Sequence, residues 1–394
     1  MSERKEVLFV VNHLTIGGAQ KSLIEALRAV DHEQYHVTLY LRKNRVDLLP
    51  KIDPRVTVVV NKDTTAYYRR PSAVWRGLRA KVCRLLGNKS AAERIERKME
   101  DGIRKKRLSN EARRYFDGKH YHVAVSYMQG YPAELIADHI EADRKILFYH
   151  SSTDEVHEVH ERILPLYDTV VAVNNSVRDV LTQFYPTQAG KIQVLENYVD
   201  ANVIRTAAQK DKPFLVSDKK RLCSCGRMSP VKGFDLAVEA ARILKEKGVS
   251  FVWYFVGDGP ERASLESRAH GYGLDEEIVF VGMQTNPYPW IAGCDVYVQP
   301  SYEEAHPLTV MEALILCRPV VSTATVGGRH MVPQEQFGLV TEITAPALAD
   351  GIARMLRDGD LYEHVRAELD RIDHSRDFAT YRALWASLLG GDGV

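Results

Sequence analysis

The feature that most constrains this chain is the regular alternation of short apolar runs with segments of helical period. EVLFVV (6–11) is followed by a polar loop and an amphipathic stretch over 19–30. HVTLYL (36–41), VTVVV (56–60), HVAVSY (122–127), KILFYH (145–150), DTVVAV (168–173) and KIQVLE (191–196) continue the series. Runs that are apolar at every position, not every second one, predict strands buried on both faces. Strands separated by helices predict a mostly parallel sheet covered on both sides. After a polar stretch at 201–218 the rhythm resumes with RLCSCG (221–226), FVWYFVG (251–257), EIVFVG (277–282), DVYVQPS (295–301) and PVVST (319–323). Helices fit between these at 233–247, 260–272, 307–316 and 345–357.

At 394 residues the chain exceeds what one compact core holds, so the two series predict two α/β domains. The expected division is 1–200, 201–375 and a helical segment 376–394 packing back on the first domain. Five cysteines (Cys83, Cys223, Cys225, Cys294 and Cys317) form no CxxC pair, which argues against a disulfide framework or a zinc site and for a reducing cytoplasm. The opening MSERKEVLFVVNHL lacks the pattern of a signal peptide, and no apolar run has the length of a membrane span.

The net charge is +1, but residues 69–119 hold 17 Lys and Arg against 6 Asp and Glu. This basic insertion breaks the α/β rhythm and fits helices over 72–86 and 90–116. Trp75, Leu78, Val82 and Leu85 recur at helical spacing among Arg76, Arg79, Lys81 and Arg84. Two readings stay open: a basic amphipathic helix on an anionic membrane surface, or an apolar face packed on the domain with solvated charges. No nucleic-acid motif accompanies the charge, so nucleic acid is not an expected partner.

The residues that carry chemistry lie mostly in 221–328. After the strand RLCSCG come Arg227 and Lys232, then Gly233 at a helix start, a combination able to receive a diphosphate. FVWYFVG leads into Asp258, Gly259 and Pro260, a turn that lets backbone approach a ligand at a sheet's carboxyl edge. Glu304, in the loop after a strand, and Glu312, eight positions on within a helix, can address one ligand from two directions. In isolation each has a plainer reading: a solvated turn, a tight β–α connection, two surface acids.

Taken in order, GRMSPVKGFDLAVEAARIL, FVGDGPERASLESRA, IVFVGMQTNPYPWIAGCDVYVQPSYEEAHPLTVMEAL and RPVVSTATVGG resemble the C-terminal domain of family 4 glycosyltransferases, the glycosyl transferases group 1 domain. The resemblance implies the GT-B fold, two Rossmann-like doubly wound domains facing across a cleft. It also implies sugar transfer from a nucleoside-diphosphate-sugar with retention at the anomeric carbon, and no metal or other cofactor. On that resemblance Arg227 and Lys232 meet the donor diphosphate, Glu312 holds the ribose and Glu304 lies near the transferred sugar. The amides of Leu308 and Thr309 then face the donor phosphate. One departure is Ala305, where the family usually has glycine, with His306 where an aromatic residue is frequent.

In the first half, VVNHLTIGGAQKSLIEAL resembles the family's first strand–loop–helix, with Gly17 and Gly18 at the helix start on the donor side. FYHSS puts His150 at the family's active-site histidine position, in contact with the transferred sugar. ENYVD, with Asn197 and Asp200, matches the segment entering the interdomain linker. The expected acceptor is a lipid-linked molecule or a saccharide of the cell envelope, such as a polysaccharide, teichoic acid or glycolipid, with the inner membrane face as a candidate partner of 69–119. An epimerase or phosphorylase on the same fold, or a protein that binds sugar nucleotides without chemistry, is the alternative.

Overall fold

The computed structural model describes residues 4–62, 89–151, 157–210, 214, 218–372 and 378–390, with side chains for all of these except 89–99 and 157–158. The first body is a seven-stranded parallel sheet built from β1 (Lys5–Val11), β2 (Tyr35–Leu41), β3 (Thr57–Val60), β4 (His120–Ser126), β5 (Glu141–Tyr149), β6 (Thr169–Ala172) and β7 (Ile192–Val194), in the order β3-β2-β1-β4-β5-β6-β7. Around it lie α1 (Gly18–Ala29), α2 (Lys89–Tyr115), α3 (Tyr131–His139), α4 (His157–Ile163) and α5 (Asn175–Phe184). The second body follows α6 (Ala201–Ala208). Its six parallel strands are β8 (Lys220–Cys225), β9 (Phe251–Val256), β10 (Ile278–Gly282), β11 (Val296–Gln299), β12 (Val320–Thr323) and β13 (Gly338–Thr341), in the order β10-β9-β8-β11-β12-β13. Its helices are α7 (Phe234–Glu246), α8 (Arg262–Gly271), α9 (Tyr288–Ala292), α10 (Leu308–Ile315), α11 (Val326–Met331), α12 (Ala345–Arg357) and α13 (Gly359–Arg371). A last helix, α14 (Phe378–Gly390), returns to the first body.

The continuous apolar runs have the expected cause. In β1 alternate side chains enter different cores, with Val7, Phe9 and Val11 on one face and Leu8 and Val10 on the other. A strand buried on both faces cannot alternate polar and apolar residues. In both sheets the order reverses beside the first strand of the set, between β1 and β4 and between β8 and β11. Such switch points open crevices at the carboxyl ends of strands. The two crevices face each other, and this is the GT-B arrangement that the sequence predicts.

α14 closes one face of the first sheet. Trp385 is fully buried and stacks on Phe148, with centroids 5.2 Å apart and an interplanar angle of 8°. It also lies 5.7 Å from the Phe9 ring, and Arg144 donates to the Leu388 carbonyl at 3.0 Å.

Three local features differ from the sequence reading. The polar stretch at 201–218 opens with a helix, α6, because the Asp200 carboxylate caps it by accepting from the Asn202 and Val203 amides. Ala201 and Ile204, three apart, then bury one side of that helix in the second core. β5 begins at Glu141, earlier than its apolar run, since the polar EADRK segment pairs with β4 from His120 onward. β13, a short four-residue strand beside β12, carries too few apolar residues to stand out.

Of the basic insertion, residues 69–88 lie outside the described residues, and the Trp75, Leu78, Val82 and Leu85 stripe lies with them. The rest includes α2, whose Leu108 is buried in the first body. Its buried Glu111 accepts hydrogen bonds from Tyr40 at 2.9 Å and Tyr131 at 2.7 Å, while Lys105, Lys106, Arg113 and Arg114 are exposed. No helix among the described residues is long and apolar enough to cross a membrane.

Candidate active site

The second crevice begins where β8 ends. Arg227 is exposed there and makes no ion pair among the described residues. A single 3-10 turn, Pro230–Lys232, then leads to Gly233, whose φ is +64° and whose missing Cβ would stand 2.0 Å from the Pro300 carbonyl oxygen. Only glycine satisfies both conditions. The turn therefore lies flat on the loop after β11, and Tyr302 donates its amide to the Val231 carbonyl at 2.9 Å.

This contact sets Lys232 Nζ 2.6 Å from Glu304 Oε1. The same oxygen receives Ser301 Oγ at 2.9 Å and Gln299 Nε2 at 3.0 Å. Gln299 is itself held by Thr309 Oγ1 and Tyr297 OH, each 3.1 Å from its Oε1. The carboxylate is thus fixed by three donors, of which the lysine supplies the countercharge. The Glu304 carbonyl accepts from the Gly327 amide at 2.7 Å, so the loop's backbone is anchored as well.

Gly259 has a packing reason for its identity, since a Cβ there would meet the Met228 carbonyl oxygen at 2.2 Å. The Asp258–Gly259 turn closes over the Arg227–Met228 turn, and the Met228 amide donates to the Asp258 carbonyl at 3.0 Å. Gly259 shapes the edge where Arg227 emerges.

Glu312 is fully buried on α10. Its Oε1 accepts from Lys21 Nζ at 2.6 Å and Tyr288 OH at 3.3 Å, while Oε2 is buried without a partner. Lys21 belongs to α1, so this pair joins the two bodies. Burial by itself lowers the Lys21 ammonium, but the Glu312 carboxylate and Tyr288 outweigh it and hold the group above the ordinary lysine range.

Helix N-termini meet at the same place. α1 starts at Gly18 behind an extended Gly17, α10 starts at Leu308 behind Pro307, and neither has a side-chain cap. A Cβ on Gly18 would lie 3.8 Å from Leu308 Cδ1, so the two starts face each other across the crevice. Unsatisfied amides and aligned dipoles make such a spot favourable for an anion. The neighbouring wall is electropositive too. The loop 42–48 is laced to the loop after β1 by Leu14 N to the Arg45 carbonyl (2.8 Å) and Lys43 N to the Asn12 carbonyl (2.8 Å). Burial lowers the His13 imidazole, and the charges of Lys43, Arg45 and Arg227 depress it further.

His150 sits at the end of β5 against Tyr127, with ring centroids 5.1 Å apart, and its Nε2 is buried without a partner. Its amide donates to Gln129 Oε1 at 3.2 Å. Burial, with His306 as a second cause, lowers its imidazole to about 4. Above that pH the ring is neutral and one nitrogen can accept or donate without charge.

The structure thus brings Lys232 to Glu304, and Gly18 to Leu308, with Glu312 one turn further along the same helix. His150 lies within the influence of His306 from the second body. Asp200 caps α6 and Asn197 is buried in the segment just before it, between the two bodies. Sequence reasoning missed Lys21, Tyr288, His13 and Asn174. Lys21 lies within the Gly-Gly helix start, the only signal that marked it. Asn174 caps α5 through its side-chain oxygen and donates from Nδ2 to the Ala305 carbonyl at 2.7 Å.

Residues 206–369 match the family described as Glycosyl transferases group 1. The lipopolysaccharide core biosynthesis glycosyltransferase LpsE of Rhizobium meliloti is 29% identical over 172 residues, 43% of this chain and 49% of that protein. A Campylobacter jejuni N-acetylgalactosamine-N,N'-diacetylbacillosaminyl-diphospho-undecaprenol 4-alpha-N-acetylgalactosaminyltransferase is 24% identical over 228 residues, 56% of this chain and 61% of that protein. The alignments span about half the length of the curated relatives the chain matches. The crystal structure of Anabaena Alr3699/HepE in complex with UDP-glucose superposes with a TM-score of 0.70 at 18% identity, covering 98% of this chain and 100% of that one. At that identity the likeness is one of fold.

Proposed function

We propose that the cleft is the active site of a retaining glycosyltransferase that moves a sugar from a nucleoside-diphosphate-sugar to an acceptor hydroxyl. The single observation that carries the reading is the convergence on one crevice of two uncapped helix starts, the Arg227 and Lys232 cations and the Glu304 and Glu312 carboxylates. The matched family supplies the reaction type, and the HepE complex makes a uridine diphosphate sugar the first donor to try.

In this reading the diphosphate lies between the starts of α1 and α10, with Arg227 and Lys232 meeting its charge. Charge grows on the leaving phosphate as the glycosidic bond breaks, so these donors act most strongly in the transition state. No metal is required for that step. Glu312 offers Oε2 to a ribose hydroxyl. Glu304, held on one oxygen by three donors, is a fixed negative charge for the ring carbon that becomes electron-poor. It is unsuited to be a nucleophile, because among the described residues no second carboxylate is paired with it as in retaining glycosidases. The acceptor hydroxyl then attacks from the face the leaving group vacates and gives its proton to the departing phosphate oxygen. His150, neutral, contacts the sugar from the first body.

The acceptor is a lipid-linked or saccharide precursor of the cell envelope. The relatives' names and the exposed Lys105, Lys106, Arg113 and Arg114 of α2 support this reading, and those cations suit an anionic membrane face. A panel of UDP-, ADP- and GDP-sugars tests the reading. The expected result is acceptor-dependent release of one nucleoside diphosphate that persists in EDTA. Failure of every donor to bind would overturn it.

A further inference from the structure

Glu312 is fully buried, and an isolated buried carboxylate is costly unless paired and hydrogen-bonded. Its countercharge comes from the other body, since Lys21 of α1 reaches across to Oε1. Tyr288 OH donates to that same oxygen, and the Lys21 ammonium stands 5.4 Å from the Tyr288 ring centroid. Lysine and tyrosine thus occupy one oxygen and leave the other with its lone pairs buried and unused.

We infer that Lys21 is a positioning residue of the nucleotide-sugar site: it neutralises and orients Glu312 so that Oε2 alone is presented to the ligand's hydroxyl. It thereby makes that site complete only while the two bodies are apposed. The inference rests on the proposed donor reading of Glu312. It has a direct energetic consequence. Oε2 has no exposed surface here, so a ligand reaches it only once the surrounding side chains part; one that then hydrogen-bonds to it binds best while Lys21 stays engaged, so ligand affinity and apposition of the bodies are linked. The opposite arrangement, in which the ammonium competes with the ligand for Glu312, has the opposite sign: removing Lys21 would then tighten binding.

The test measures binding of UDP, ADP and GDP to the full chain by calorimetry and takes forward the diphosphate that wild type binds tightest. In Lys21→Met the affinity is expected to fall by about tenfold or more, the size of one lost charge-assisted interaction. The donor KM should rise in step, while kcat at saturating donor changes little. Lys21→Arg should recover most of the loss. Glu312→Gln removes the need for a countercharge, so the double variant should lose no more than Glu312→Gln alone. Thermal unfolding of each variant checks that it is folded. Unchanged or tighter binding in Lys21→Met, or fully additive losses in the double variant, would overturn the inference. If wild type binds none of the three diphosphates, it is the donor reading itself that fails, and the two failures are therefore distinguishable.

Discussion

Asn174 Nδ2 donates to the Ala305 carbonyl oxygen at 2.7 Å, and the same side chain caps α5 by accepting from the Val177 amide at 2.8 Å. One fully buried asparagine therefore starts a helix in the first body and fixes the loop after β11 in the second. Ala305, at the position where the family favours glycine, is itself buried against the first body's core.

The two roles separate by substitution. Asn174→Asp keeps an oxygen for the cap but cannot donate to the Ala305 carbonyl. Asn174→Ala loses both, and a lost cap costs about 1 kcal/mol. Thermal unfolding should place both variants below wild type, with Asn174→Asp at least as low as Asn174→Ala because it buries an unpaired carboxylate against a carbonyl oxygen, while turnover should fall in both. Normal turnover in Asn174→Asp would show that the interdomain bond does not position the loop.

Glu304→Gln removes the charge that Lys232, Ser301 and Gln299 converge on. Weakening a charged hydrogen bond by about 1.5–3 kcal/mol corresponds to roughly 10- to 150-fold in rate. The loss should appear in kcat, with donor affinity nearly kept. A rise in KM alone would reverse the assignment.

Arg227 is exposed and unpaired among the described residues, so Arg227→Ala should leave the melting temperature within about a degree. Donor KM should rise severalfold. A protein destabilised by this change would mean that Arg227 is structural.

His150 gives a pH signature. Its folded-state value is lowered to about 4 by burial and by His306, below the ordinary 6.5. The unfolded chain then binds the proton more readily, so stability is fully present above about 6.5 and is lost as pH falls toward 4. The span is up to about 3 kcal/mol. His150→Gln should flatten that part of the stability–pH curve, and an imidazole NMR titration should find no midpoint between 5 and 8. A midpoint near 6.5 would contradict the burial argument.

Trp385 has the opposite character, since its weight is packing. Trp385→Ala should destabilise the first body by ~3–5 kcal/mol, whereas Trp385→Phe should be much milder. Phenylalanine keeps most of the ring packing and gives up only the contact of the indole N–H with the Tyr381 hydroxyl. Urea denaturation followed by far-UV circular dichroism checks both.

Much of this fold was legible in the sequence because burial on both faces leaves a signature that needs no context: Val7 to Val11 are apolar throughout. The ends of strands and the polar half of β5 were not, because pairing with a neighbour extended them beyond their apolar residues. In the site, Arg227, Lys232, Glu304 and Glu312 stood out by order and spacing. Lys21 and Asn174 did not, because a lysine on a helix and an asparagine before one look ordinary until the other body supplies a buried carboxylate and a carbonyl.

The path of the chain between the bodies has a mechanical meaning. Tyr198 packs in the first core and Val199 against the second, and further on Leu369 of α13 lies in the second core while Tyr381 of α14 lies in the first. The bodies are thus strung together by two separate tethers. A single tether acts as a swivel and leaves three rotations free, whereas two act like the paired pins of a door and leave chiefly the rotation about the line joining them. Any rotation about that line would part Lys21 from Glu312 and Asn174 from Ala305 together, since both contacts bridge the same two bodies.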